Sequence, residues 1–145
     1  MNDHELLKLA AAAAGVPGGW VEQNRTFHIA EHLRGPSDDA RASREALGLA
    51  HGRAWWDPLT DDGDALRLAV KAGIAFRYER NAPPELHLPR ECAIAITGNG
   101  RYFSDVAKDE MTATRRAIVR AAAAIGEALT TEPQSPRPAP GSTAR

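Results

Sequence analysis

The sequence predicts an α/β or α+β sandwich, a small sheet covered by helices. Three observations carry that expectation. Several stretches show helical periodicity between capping residues. The run Ile74–Tyr78 alternates, and Cys92–Thr97 is apolar on both faces. Gly98-Asn99-Gly100 supplies the positive-φ turn of a hairpin into Arg101-Tyr102-Phe103-Ser104.

In chain order, Asp3 caps a first helix through Leu6, Leu7, Leu9 and the Ala10 to Ala14 tract, with Gly15 as its left-handed stop and Pro17 beyond. Trp20-Val21-Glu22 and Phe27-His28-Ile29 read as short strands joined by the polar Gln23 to Thr26 turn. Ser37-Asp38-Asp39 caps a weakly patterned helix from Ala40 to Leu49. Thr60 or Asp61 caps the next helix, whose first-turn acids Asp61, Asp62 and Asp64 complement the helix dipole. Leu66, Ala69 and Val70 share one face of it, Arg67 and Lys71 another, and Gly73 ends it. Ile74, Phe76 and Tyr78 then alternate with Ala75, Arg77 and Glu79 as a half-buried strand. Pro83-Pro84 forces a loop, and Cys92 to Thr97, apolar on both faces, is a central strand.

The last helix runs from about Asp109 to Leu129. Met111, Ile118, Ala122, Ile125 and Leu129 form its apolar stripe, with Arg116, Arg120 and Glu127 opposite. Past Thr130 the chain turns to Pro133, Pro136, Pro138 and Pro140 among small polar residues, too little apolar mass to offset ordering entropy. The expected organisation is one domain over residues 1–130, with 27–54 a candidate insertion, and a disordered tail over 131–145. The alanine tracts Ala10–Ala14 and Ala121–Ala124 leave little bulk, so their helices can pack closely on each other or on a partner subunit.

Composition excludes several classes. With 18 basic and 19 acidic residues the formal charge is -1, without the basic excess of a dedicated nucleic-acid binder. The one cysteine, Cys92, rules out an intramolecular disulfide framework or a cysteine-cluster metal site. No stretch approaches the ~20 apolar residues of a membrane span, and no secretory leader is legible, so a cytoplasmic protein is expected.

The acids Asp57, Asp61, Asp62 and Asp64 invite a calcium reading, but Leu59 stands where a ligand is needed and no distal Glu follows. Helix capping explains them without a metal. His28 and His32 have metal-pair spacing only in a helix, and that segment reads as a strand. Cys92 sits in the apolar strand, where burial makes a thiol inert. No nucleophile–base or zinc motif is present, so no enzyme, metal or cofactor is expected. Adjacent Trp55 and Trp56 point to opposite faces if extended, one buried and one exposed.

Arg116 and Arg120 carry the sharpest chemistry. One helical turn apart, both guanidinium groups can converge on one anion such as a phosphate, with Ala113 and Ala123 leaving the approach open. Arg115 borders the buried stripe. The competing reading is a solvated helix face, with Arg116 paired to Glu110 or Asp109. Asn99 from the hairpin and Trp56 or Tyr102 as stacking faces complete the candidate ligand site.

Leu6 to Ala14, then Trp56 to Ile74 and Thr114 to Gly126, resemble the phage ABA-sandwich domain family of small phage- and prophage-encoded proteins. The stretch Phe27 to Ala54 and the tail depart from its pattern. The resemblance implies a phage or prophage accessory protein and no known activity. Asn99, Arg116 and Arg120 are also similar in arrangement to phage anti-Thoeris proteins, which sequester cyclic ADP-ribose signals with helix arginines. The expected function is therefore non-enzymatic binding directed at the host, of anti-defence type, toward a nucleotide-like anion or a host protein. The alternative is a particle structural or assembly protein that self-associates as a homo-oligomer.

Overall fold

The computed structural model describes residues 1–16, 18–22, 25–29 and 55–131. It is an α+β fold. The described helices are α1 (Asp3–Ala14), α2 (Asp62–Ala72) and α3 (Glu110–Thr131). The strands are β1 (Gly18–Val21), β2 (Thr26–Ile29), β3 (Trp55–Trp56), β4 (Ala75–Glu79), β5 (Cys92–Ile96) and β6 (Tyr102–Asp105). They form two three-stranded antiparallel sheets, β1-β2-β3 and β4-β5-β6, where the sequence implied one. The helix expected over Ala40–Leu49, the candidate insertion from residue 30 onward and the tail beyond Thr131 lie outside the described residues. Within residues 27–29, β2 is the middle strand of its sheet and Phe27 is part of the core.

α1 begins on Asn2 rather than Asp3. The Asn2 side chain accepts from the Glu5 N–H (2.9 Å) and the Glu5 carboxylate accepts from the Asn2 N–H (3.1 Å), a reciprocal capping box. At the other end Gly15 adopts φ 67°, and its N–H reaches back to the carbonyls of Ala11 and Ala12. Leu6, Leu7, Ala10, Ala11 and Ala14 are buried on one stripe. That stripe serves contact with α3, while β1 and β2 also touch α1.

α3 is the hub. It packs on α1, on α2 and on all three strands of the second sheet. Its buried residues are Ala113, Ala117, Ile118, Val119, Ala121, Ala122, Ala123 and Gly126, a broader band than the predicted stripe. Met111 and Leu129, expected in the core, are exposed: Met111 borders an open groove with Leu66 and Phe76, and Leu129 one with Asn99 and Arg101. The helices approach closely at Gly126, where an added Cβ would collide with the Leu9 carbonyl oxygen. The alanine tracts thus pack on each other within one chain.

α2 also turns a different face inward. Asp64, Ala65, Leu68 and Ala69 are buried, whereas Leu66 and Val70 are exposed. Asp64, fully buried on this face, accepts from the Asp57 N–H (2.9 Å) and Arg67 Nη2 (3.0 Å). Ala93 and Ala95 of β5 join the cluster built on α3, and the hairpin through Gly98-Asn99-Gly100 forms as expected. Among the described residues no helix is long and apolar enough to cross a membrane.

Two outcomes follow. Gly126→Ala raises intrinsic helix propensity but forces a methyl into the Leu9 backbone, so urea denaturation should show a net loss of about 1–3 kcal/mol, the cost of overpacking; a gain in stability would show that the two backbones are not in contact. At the start of α3, hydrogen bonds from the Thr112 N–H and hydroxyl hold Asp109 below the ordinary carboxylate range. A depressed folded-state pKa stabilises above the unfolded value and is lost as pH falls through the folded one. Asp109→Asn should therefore narrow the stability difference between neutral and acidic pH in parallel melts.

Candidate functional site

The acids before and within the first turn of α2 are occupied by local hydrogen bonds. Asp57 accepts from the Leu59 N–H (3.1 Å) and the Thr60 hydroxyl (2.7 Å), and Asp61 caps the helix by accepting from the Asp64 N–H (2.8 Å). Asp61 is the cap, while Asp62 pairs with Arg115 and Asp64 accepts from the Asp57 N–H. Among the described residues no group of three or more His, Cys, Asp or Glu side chains is placed to hold a metal ion. His32 lies outside the described residues, and His4 stacks on Trp20 with ring centroids 5.0 Å apart. Cys92 is buried in β5, and burial raises its thiol pKa, with Glu79 adding to the effect.

Arg116 and Arg120 do converge on one anion, and that anion belongs to the chain. Asp105, at the end of β6, lies 3.7 Å from Arg116 Nε and 3.3 Å from Arg120 Nη1. Arg120 Nη1 also donates to the Ser104 carbonyl at 2.6 Å, and Arg116 Nη1 is 3.6 Å from the Asp3 carboxylate. Arg116 therefore pairs with neither Glu110 nor Asp109: Glu110 faces Arg80 at 2.7 Å, and Asp109 is engaged by Thr112. The arginine side chains keep 38% and 44% of their surface exposed, against 12% for Asp105, so the pair reaches solvent while its carboxylate is covered.

The other expected members are elsewhere. Trp56 is 3% exposed and packs edge-on against Phe27 at 5.7 Å in the first sheet, so it offers no stacking face; its exposed neighbour is Trp55. Tyr102 is exposed, but three residues from Asp105 along β6 it points to the opposite face of the sheet. The Asn99 side chain accepts from the Thr97 hydroxyl inside the hairpin. It borders a cavity of about 190 Å³ shared with Ala124, Ile125, Ala128 and Leu129, and with neither arginine. Ala113 and Ala123 are buried, so they do not open the approach to the arginines.

Sequence reasoning missed Asp105. The available signal was strand parity: Phe103 and Asp105 pair with Ala95 and Ala93, the two β5 residues of the core beside α3. It also underrated Arg115. This side chain donates from Nε to the Leu59 carbonyl (2.8 Å), from Nη1 to Asp62 (2.5 Å) and from Nη2 to the Thr112 hydroxyl (3.0 Å), fastening α3 to the start of α2.

Two further concavities flank these clusters. A cleft of about 560 Å³ is lined by Asp3, His4, Trp20, Glu22, Arg25 and Asp57 among others; its carboxylates outnumber its arginine and disfavour an anion. An apolar groove of about 200 Å³ runs between Leu66, Phe76, Met111 and Ile118, with Asp62 and Arg115 beside it. No family model, curated protein or solved structure matches the chain.

The two kinds of arginine should separate in mutants. Arg115→Ala removes three hydrogen bonds at a side chain only 15% exposed, and should cost about 2–3 kcal/mol in chemical denaturation. Arg116→Ala, which loses two long and partly solvated ion pairs, should cost under about 1 kcal/mol. Equal costs would remove the distinction between a clamp and a solvent-facing pair.

Proposed function

We propose that this chain is a non-enzymatic accessory binding protein that holds a small, nucleotide-like anion at Arg116 and Arg120. The observation carrying this reading is that two half-exposed guanidinium groups converge on the single carboxylate of Asp105. Asp105 stands where a phosphate oxygen of the ligand would sit. A phosphate carries more charge and more acceptor oxygens than a carboxylate and suits the planar guanidinium fork. Binding is then an exchange in which the external anion takes the arginines from Asp105.

Holding without conversion is supported by how the thiol and the carboxylates are engaged. Cys92 is buried with its thiol pKa raised, and the carboxylates around α2 are engaged by backbone N–H groups, by the Thr60 hydroxyl and by arginines. The phage or prophage setting, the action on a host and a host-cytoplasmic location rest on the sequence resemblance. An assembly role through the alanine-rich helices finds less support, because Ala10, Ala11, Ala14, Ala121, Ala122 and Ala123 are buried within the chain.

Thermal-shift titration with cyclic and linear nucleotides and with inorganic phosphate tests the reading on three proteins. Wild type should shift upward, Asp105→Asn should shift further because its internal competitor is gone, and Arg116→Ala/Arg120→Ala should not respond. Equal shifts in wild type and the double variant, or no response even from Asp105→Asn, would remove the anion site.

A further inference from the structure

We propose that the open edge of the second sheet is a self-association surface, on which β4 of a second copy adds antiparallel to β4. This surface is separate from the arginine pair, which lies beside β6 at the sheet's other edge. Three independent features meet at β4. It is an edge strand: β5 pairs with one side of it, and among the described residues no strand takes the other. Exposed Leu66, Phe76 and Met111 surround the apolar groove beside it, and Val70 extends the apolar surface along α2. Its charges alternate in a self-complementary order, Ala75-Phe76-Arg77-Tyr78-Glu79.

That order selects the occupant and the register. Two copies related by a two-fold axis through Tyr78 place Arg77 opposite Glu79 of the other copy, and Glu79 opposite its Arg77. Arg77 and Glu79 already form a 2.6 Å ion pair along the strand, so pairing would close a square of alternating charges. An axis through Arg77 or Glu79 would set like charges against each other. Phe76 and Tyr78 lie on the groove side, since Phe76 lines the groove and Tyr78 shares its parity. There a second copy would cover the exposed apolar residues and extend the sheet from each copy's β6 to the other's. β6 is less suited to this: one of its carbonyls, that of Ser104, already accepts from Arg120.

Sedimentation equilibrium of the full chain over a wide concentration range tests the proposal. Wild type should be dimeric, and Arg77→Glu and Glu79→Arg should each weaken the dimer about tenfold or more, since each reversal creates two like-charge pairs. The combined swap Arg77→Glu/Glu79→Arg should restore wild-type affinity. Both side chains are on the surface, so far-UV circular dichroism should be unchanged throughout. Hydrogen exchange of wild type, independent of any variant, should show β4 amide protection rising with concentration. A wild type that stays monomeric, a dimer indifferent to the single reversals, or a double swap no tighter than the singles would each overturn it.

Discussion

The close approach of α1 and α3 is the constraint on which the rest depends. At Gly126 the α3 backbone meets the Leu9 carbonyl so closely that even a methyl group does not fit. Around that point Ala10, Ala11, Ala14, Ala121, Ala122 and Ala123 are buried. Alanine loses no side-chain entropy on burial and favours the helix, so an alanine-lined contact sacrifices bulk and gains backbone proximity. With one face given to α1 and others to α2 and the second sheet, α3 has little surface left for polar groups. Arg116 and Arg120 occupy that remainder, and this position sends both toward the end of β6 and the start of α1.

A second, polar joint holds the opposite side of α3. Asp64 is fully buried, which is costly for a carboxylate without partners. It receives the Asp57 N–H and Arg67, so the loop before α2 and the helix's second turn are fixed to one acid. Arg115 adds a bridge from α3 to the same loop through the Leu59 carbonyl. On the same helix Ala65, Leu68 and Ala69 turn inward, while Leu66 and Val70 stay outside.

This explains what was legible in the sequence and what was not. Caps, stops and the hairpin turn depend on neighbours a few residues away, and the Asp61 cap, the Gly15 and Gly73 stops and the Gly98-Asn99-Gly100 turn are where the residue types put them. The cap of α1 slipped by one residue because Asn2 and Asp3 are both good caps, and only Asn2 stands three before Glu5. The burial of Asp64 on the inward face of α2 depends on its bond to the Asp57 N–H, which apolar periodicity does not encode. At the candidate site, helical spacing revealed that Arg116 and Arg120 act together. Their shared partner needed the pairing of β5 with β6, a contact between distant segments that no local pattern encodes. Trp56, Tyr102 and Asn99 were assigned by residue type alone; packing on Phe27, strand parity and the Thr97 hydroxyl send them elsewhere.

The two edges of the second sheet illustrate how one chain treats exposed backbone differently. Beside β6, Arg120 crosses to the Ser104 carbonyl and Asp105 neutralises two cations, so that edge is tied to α3 by charge. At β4, Arg77 and Glu79 lie on the face away from the groove and pair with each other along the strand. Charged residues on an edge strand oppose indiscriminate strand addition, because an arbitrary partner leaves them unpaired or facing like charge. They do not oppose every partner. A strand bearing the opposite alternation satisfies both charges, and in antiparallel order the sequence of β4 is its own opposite. The same two residues that protect the edge from most strands therefore make it selective for a copy of itself.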